Sequence, residues 1–311
     1  MSDLAVTHGY IPEQIQKFTA QETGEAVFLD EVLKQAVPWD AADRPAIVTW
    51  GSAAKALDEK DAECDSALTW WEDPNADVLF VTTQTSTDCA GMAACAGYLT
   101  RLIWQRNHLF SEQKLEKMNP RAAWICSKGG SRRGGQTISK IMETVQKLGN
   151  FPESAVGPYG DISYTKALTG QEAAEKRQTG FAFYTGPQDE SADWIVKAQK
   201  QGYPVVIGTS EKVNGSRLDE NGQVTAVLRG SWMHAMCIAG YRKVNGTEYV
   251  LLLNSHGNIY GTEDGTPGWC VWLTKKQLNA LCTGSYCDWA MITSVEGPYD
   301  PELKPTLSIS K

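Results

Sequence analysis

Three Asn-Gly pairs, Asn214-Gly215, Asn221-Gly222 and Asn245-Gly246, fall close together in the second half of this 311-residue chain. Asn and Gly accept the positive φ that a two-residue hairpin turn demands. Each pair between apolar runs therefore predicts a reversal between antiparallel strands. The runs are present at 203–208, 225–228, 236–241, 248–253 and 269–273, rich in Val, Ile, Leu and aromatic residues. The part before them reads differently. Across 89–105, Met92, Ala96, Leu99 and Ile103 recur at helical spacing. Further helices are expected at 137–148, closed by Gly149, and at 190–201, closed by Gly202. Helices first and strands later predict an α+β fold, a helical lobe followed by an antiparallel sheet or barrel lobe.

Composition narrows the partners. Apolar residues make up 42% and charged residues 21%, ordinary for a globular chain. The formal net charge is −8, and the densest basic cluster, at 128–133, is short. That argues against nucleic acid as a partner. Apolar stretches such as 250–253 fall far short of the roughly 20 residues a bilayer needs, so no membrane partner is expected. Met-Ser-Asp-Leu-Ala-Val at the start lacks the basic and apolar regions of a signal peptide. The cysteines (64, 89, 95, 126, 237, 270, 282 and 287) form no Cys-x-x-Cys pair, and mostly reduced thiols are expected. No metal or cofactor is expected. The expected location is cytoplasmic or assembly-associated, a virus particle included.

Three units are expected along the chain. Residues 1–75 read as an N-terminal extension, with helices at 13–17 and 26–35. Such an extension suits a propeptide, a docking segment for assembly partners or an added lobe. Residues 76–296 carry the motifs, and 297–311 form a Pro-containing tail.

The motifs carry thiol chemistry. Cys89 opens the 89–105 helix with Asp88 as its N-cap, where the helix dipole favours a thiolate. His234 rides on an apolar strand, and Asn254 ends another. An imidazole can take the thiol proton, and a third polar group can hold the ring in the right tautomer. Cys95 lies inside the helix rather than at its start. His8 and His108 read as surface or packing residues.

In this order the segments resemble the papain-like cysteine peptidases, as a divergent member. The resemblance rests on Gln84 through Cys89, on Gly134-Gly135, and on Tyr203-Pro204-Val205-Val206-Ile207. It also rests on His234-Ala235-Met236-Cys237-Ile238-Ala239-Gly240-Tyr241, on Asn254-Ser255-His256-Gly257 and on Gly268-Trp269. It implies a two-lobed fold with a catalytic cleft between the lobes, and an endopeptidase that cleaves polypeptides through a Cys89 thioester. His234 would be base and acid, Asn254 its orienter and Gln84 an oxyanion donor. Gly134 and Gly135 would line the cleft, with pocket walls from around Gln136, Tyr159, Tyr203 and Met233.

This chain departs from the family at several points. Gln84 is one residue nearer its cysteine, and Ala90 replaces an aromatic residue. His256 stands where a tryptophan shields the asparagine–histidine bond. Ser86 replaces a disulfide cysteine, which leaves Cys126 without that mate. These departures support an alternative, a papain fold of weak or no activity with a structural or assembly role, for example in a virus particle or large complex. Another acyl transfer on the same constellation is also compatible.

Overall fold

The computed structural model describes residues 79–80, 83–108 and 114–297, with only the backbone given at 107–108. The extension expected at 1–75 lies outside them, as does nearly all of the tail. Within them the fold is α+β and two-lobed. Helices α1 (Cys89–His108), α2 (Pro120–Ser127) and α3 (Ile138–Lys147) come first, followed by short α4 (Glu153–Val156), α5 (Tyr164–Leu168) and α6 (Gln171–Glu175). Strand β1 (Thr179–Phe183) leads through a 3-10 turn to α7 (Ser191–Lys200). Then follow β2 (Val205–Leu218), β3 (Val224–Val244), β4 (Thr247–Leu253), β5 (Cys270–Thr274), α8 (Lys275–Cys282) and β6 (Cys287–Val295). No helix among the described residues is long and apolar enough to cross a membrane.

The six strands lie in the order β1-β6-β2-β3-β4-β5. Neighbours in that order are antiparallel. The start of β3 also meets β5 in parallel at Thr225 and Trp272, so the sheet curls back on itself. β3 divides two cores. Met233, Ala235, Cys237 and Ala239 face the helical lobe, and Trp232, Met236 and Ile238 face the interior of the sheet lobe under α7 and α8. Alternation along a strand is what lets one segment serve both.

Two of the three Asn-Gly pairs turn the chain. Asn245 and Gly246 have φ of 49° and 83° and join β3 to β4. Asn221-Gly222 lies between β2 and β3, where the Asp219 carboxylate accepts the N–H groups of Asn221 and Gln223. Asn214-Gly215 does not turn the chain. It sits inside β2, where the register with β3 shifts between Val213 and Ser216, and the positive φ of Gly215 bulges the strand. The strands expected at 225–228 and 236–241 are likewise one. β3 runs through the exposed Arg229, Gly230 and Ser231, whose polarity marked a break that the backbone bridges.

α1 is buried on nearly all sides, more than the expected apolar stripe requires. Small residues permit this. A Cβ on Gly91 would stand 2.6 Å from the Pro120 carbonyl oxygen, and one on Gly97 would stand 2.5 Å from Ile292 Cδ1. Gly91 thus seats the first turn of α1, which carries Cys89, against α2. In a solvated helix Gly→Ala gains about 1 kcal/mol. Gly91→Ala is expected to lose stability instead, by roughly 2 kcal/mol, because its clash is with backbone. Urea unfolding checks this, and a stabilised variant would contradict the seating.

Candidate active site

Cys89 is the first residue of α1 and is fully buried. Its Sγ accepts the N–H of Ala235 at 3.3 Å, which brings the thiol to the residue next to His234 on β3. His234 Nε2 lies 2.9 Å from Asn254 Oδ1, just beyond the end of β4. The other ring nitrogen, Nδ1, is buried. Cys89, His234 and Asn254 thus converge from one helix and two adjacent strands.

Gln84 joins them from the loop before α1. Its N–H donates to the Ser255 carbonyl at 2.6 Å, and Ser255 Oγ donates to its Oε1 at 2.5 Å. Its Nε2 donates to the Ser86 carbonyl at 3.0 Å. The amide orientation is therefore set by its own neighbours. Thr83 bridges His256 in the same register.

Burial raises the Cys89 thiol above its ordinary pKa. The Ala235 N–H lowers it, and the Asp88 charge raises it again. The stretch of β3 that meets the thiol through the Ala235 N–H also carries His234, the residue before it.

His256 stacks on His234, with ring centroids 4.3 Å apart and planes 22° apart, and Trp232 tilts against His234 at 4.6 Å. Two aromatic rings thus pack against the His234 imidazole. Beyond them opens a cavity of about 390 Å³ lined by Lys212, Val213, Asn214, Gly215, Trp232, His256 and Ile259. The bulge in β2 therefore forms one wall of a hollow that Trp232 and His256 also line.

Asp88 does not cap α1 through its side chain. Its Oδ2 accepts Arg121 Nε at 2.8 Å and Tyr159 Oη at 3.0 Å, and its Oδ1 is buried without a hydrogen bond. Arg121, at the start of α2, also donates to Thr85 Oγ1 and Tyr159 Oη, and the Thr85 N–H donates to Tyr159 Oη. This network fixes the loop that delivers Cys89. Arg121 carries no sequence signal beyond its type, so only the fold reveals it.

The remaining expected residues are dispersed. Gly134 meets the nucleophile loop, where its carbonyl accepts Thr87 Oγ1 at 3.0 Å. The Gly135 carbonyl accepts Lys128 Nζ at 2.8 Å. Tyr159 stands in the Asp88–Arg121 network, and Met233 is buried in the helical-lobe core. Gln136 is buried and bonded to Ser127. Tyr203 lies elsewhere. Arg101 stacks on it and on Trp104, twelve residues or about 18 Å along α1 from Cys89. The far end of the helix carries it, because the apolar run begins at the wrong end of β2. Cys95 is buried inside α1. None of the seven cysteines among the described residues is in a disulfide. His8 lies outside the described residues, and of His108 only the backbone is described.

Removing Arg121 strands a buried carboxylate. Arg121→Gln is expected to lower stability by roughly 3–5 kcal/mol, and adding Asp88→Asn should recover part of that. Urea unfolding of both single variants and the double variant checks the coupling. Strict additivity would mean that the two groups do not support each other.

No protein-family model matches the chain, and no curated protein matches it. Solved structures do. The chain is similar to xylellain, a cysteine protease from Xylella fastidiosa, at 15% identity and a TM-score of 0.53, over 94% of this chain and 98% of that one. It is similar to procathepsin B S9 from Trypanosoma congolense at 11% identity and a TM-score of 0.51, over 94% and 99%. At such identity the likeness is one of fold, and the fold of this chain is papain-like.

Proposed function

We propose that this chain is a papain-like cysteine endopeptidase. The observation that carries the reading is the convergence of Cys89, His234 and Asn254, with the thiol one residue from the histidine and the histidine bonded to the asparagine. Nε2 is committed to Asn254, so Nδ1 exchanges the proton with Cys89. The thiolate attacks a peptide carbonyl and forms a carbon–sulfur bond. The tetrahedral intermediate breaks its carbon–nitrogen bond as the imidazolium protonates the leaving amine. Water, deprotonated by His234, then cleaves the thioester and frees the thiol.

The Cys89 N–H and the second N–H of the Gln84 amide stabilise the oxyanion. Loss of one such donor costs about 10²–10³ in rate. The hollow lined by Trp232, His256 and Ile259 lies on the side of the two rings that pack on His234. It would receive a side chain of the polypeptide substrate.

A second reading, a papain fold kept for binding or assembly, draws on one observation. Cys89 is fully buried, which limits access of a peptide to its sulfur.

A peptidyl epoxide that traps thiols separates the two. Intact-mass analysis of the full chain is expected to give one adduct on wild type and none on Cys89→Ala, with labelling lost in His234→Ala. A substrate screen is then expected to show Gln84→Ala slower by about 10²-fold with its label retained. A folded wild type without adduct would favour the binding role.

A further inference from the structure

The Asn254 amide is held at both ends. Oδ1 faces His234 Nε2 at 2.9 Å, and Nδ2 donates to Tyr260 Oη at 2.7 Å. His234, Asn254 and Tyr260 are all buried. Tyr260 is itself held by its N–H, which donates to the Gly268 carbonyl at 2.9 Å, and by the apolar interior of the sheet lobe.

We propose that Tyr260 is a positioning residue for the Cys89–His234 pair and acts through Asn254. Its phenol oxygen accepts the Nδ2–H and keeps Oδ1 turned to the imidazole. The proposal rests on the thiol-peptidase reading.

The two ends of an asparagine amide have nearly the same shape and opposite hydrogen-bonding character. A protonated imidazole donates from both nitrogens, so only the Oδ1 end serves it. A reversed amide sets N–H against N–H in a buried site, where the mismatch is costly. The last torsion of an asparagine is soft and does not choose between the ends. The protonated imidazole makes that choice, and the phenol oxygen, which accepts Nδ2–H in that orientation, holds the soft torsion in it. The three groups also form a chain of hydrogen bonds that polarises in one direction. Electron density drawn toward the imidazolium through Oδ1 strengthens the Nδ2–H donation to Oη. Burial pushes the phenol further above its ordinary pKa, so Tyr260 keeps its proton wherever the thiol pair works.

Several other ionisable groups surround the pair. Asp88 adjoins Cys89 on the α1 side, and His256 stacks on the ring. Lys212 of β2 lines the adjoining hollow, and Cys270 of β5 lies near Tyr260. Tyr260→Phe alters none of these.

The test is the rate of Cys89 alkylation by iodoacetamide in the full chain, read by peptide mass from acid to alkaline pH. Wild type is expected to react at about pH 6, where an isolated thiol is protonated. Tyr260→Phe is expected to react there about three- to tenfold more slowly, and at about pH 10 within twofold of wild type, because free thiolate forms there without the imidazolium. In the Asn254→Ala background, Tyr260→Phe is expected to change nothing beyond twofold. Difluorotyrosine at position 260 keeps the shape and weakens the acceptor, so it should slow the reaction near pH 6 by a smaller factor. It serves as the readout should Tyr260→Phe fail to fold. An equal loss with and without Asn254, or no loss in either folded variant, would overturn the positioning role. A wild type unreactive near pH 6 would instead overturn the thiol-peptidase reading beneath it.

Discussion

A carboxylate with no solvent contact sits one residue before the thiol. Burying the charge of Asp88 is costly unless a cation and hydrogen bonds meet it. Arg121 and Tyr159 meet it, and the same two groups hold Thr85. The loop from Gln84 to Cys89 can close only where α2 and the Tyr159 loop are already placed. The acid raises the thiol pKa, so its worth to the site is geometric rather than electrostatic.

From that anchor the rest follows by close approach. Gly91 and Gly97 let α1 press against α2 and against Ile292 of β6. The helix then lies between its neighbours and β3, and the Ala235 N–H reaches Cys89. β3 carries His234 among residues of the sheet-lobe face and Ala235 on the helical-lobe face. One strand thus joins two hydrophobic cores and delivers the histidine at their seam.

Much of this was legible in the sequence, for identifiable reasons. The sequence marks Cys89 at the start of α1 and Asn254 just past β4, whereas His234 lies in a buried stretch of β3 and is marked only by the residues around it. Asn245-Gly246 was readable because a two-residue turn has few solutions. Asn214-Gly215 misled because a bulge uses the same backbone freedom as a turn, and composition alone does not separate them. Tyr203 misled because strand direction decides which end of β2 meets the cleft. Arg121 and Tyr260 were illegible. Their parts depend on neighbours thirty-three residues away for Arg121, and six residues away around a turn for Tyr260. Neither distance is a periodicity, so no pattern marks them.

The scattered cysteines have a consequence for how this chain can be studied. Cys89 and Cys95 lie on α1, Cys126 on α2, Cys237 on β3, Cys270 on β5, Cys282 on α8 and Cys287 on β6, all buried and outside any disulfide. Cys89 aside, whose native reactivity is the proposed chemistry, a thiol reagent meets each of them only when its own element opens. The molecule therefore carries native reporters in both lobes. The order in which they are modified under mild denaturant would rank the elements by local stability, without introducing a single foreign label.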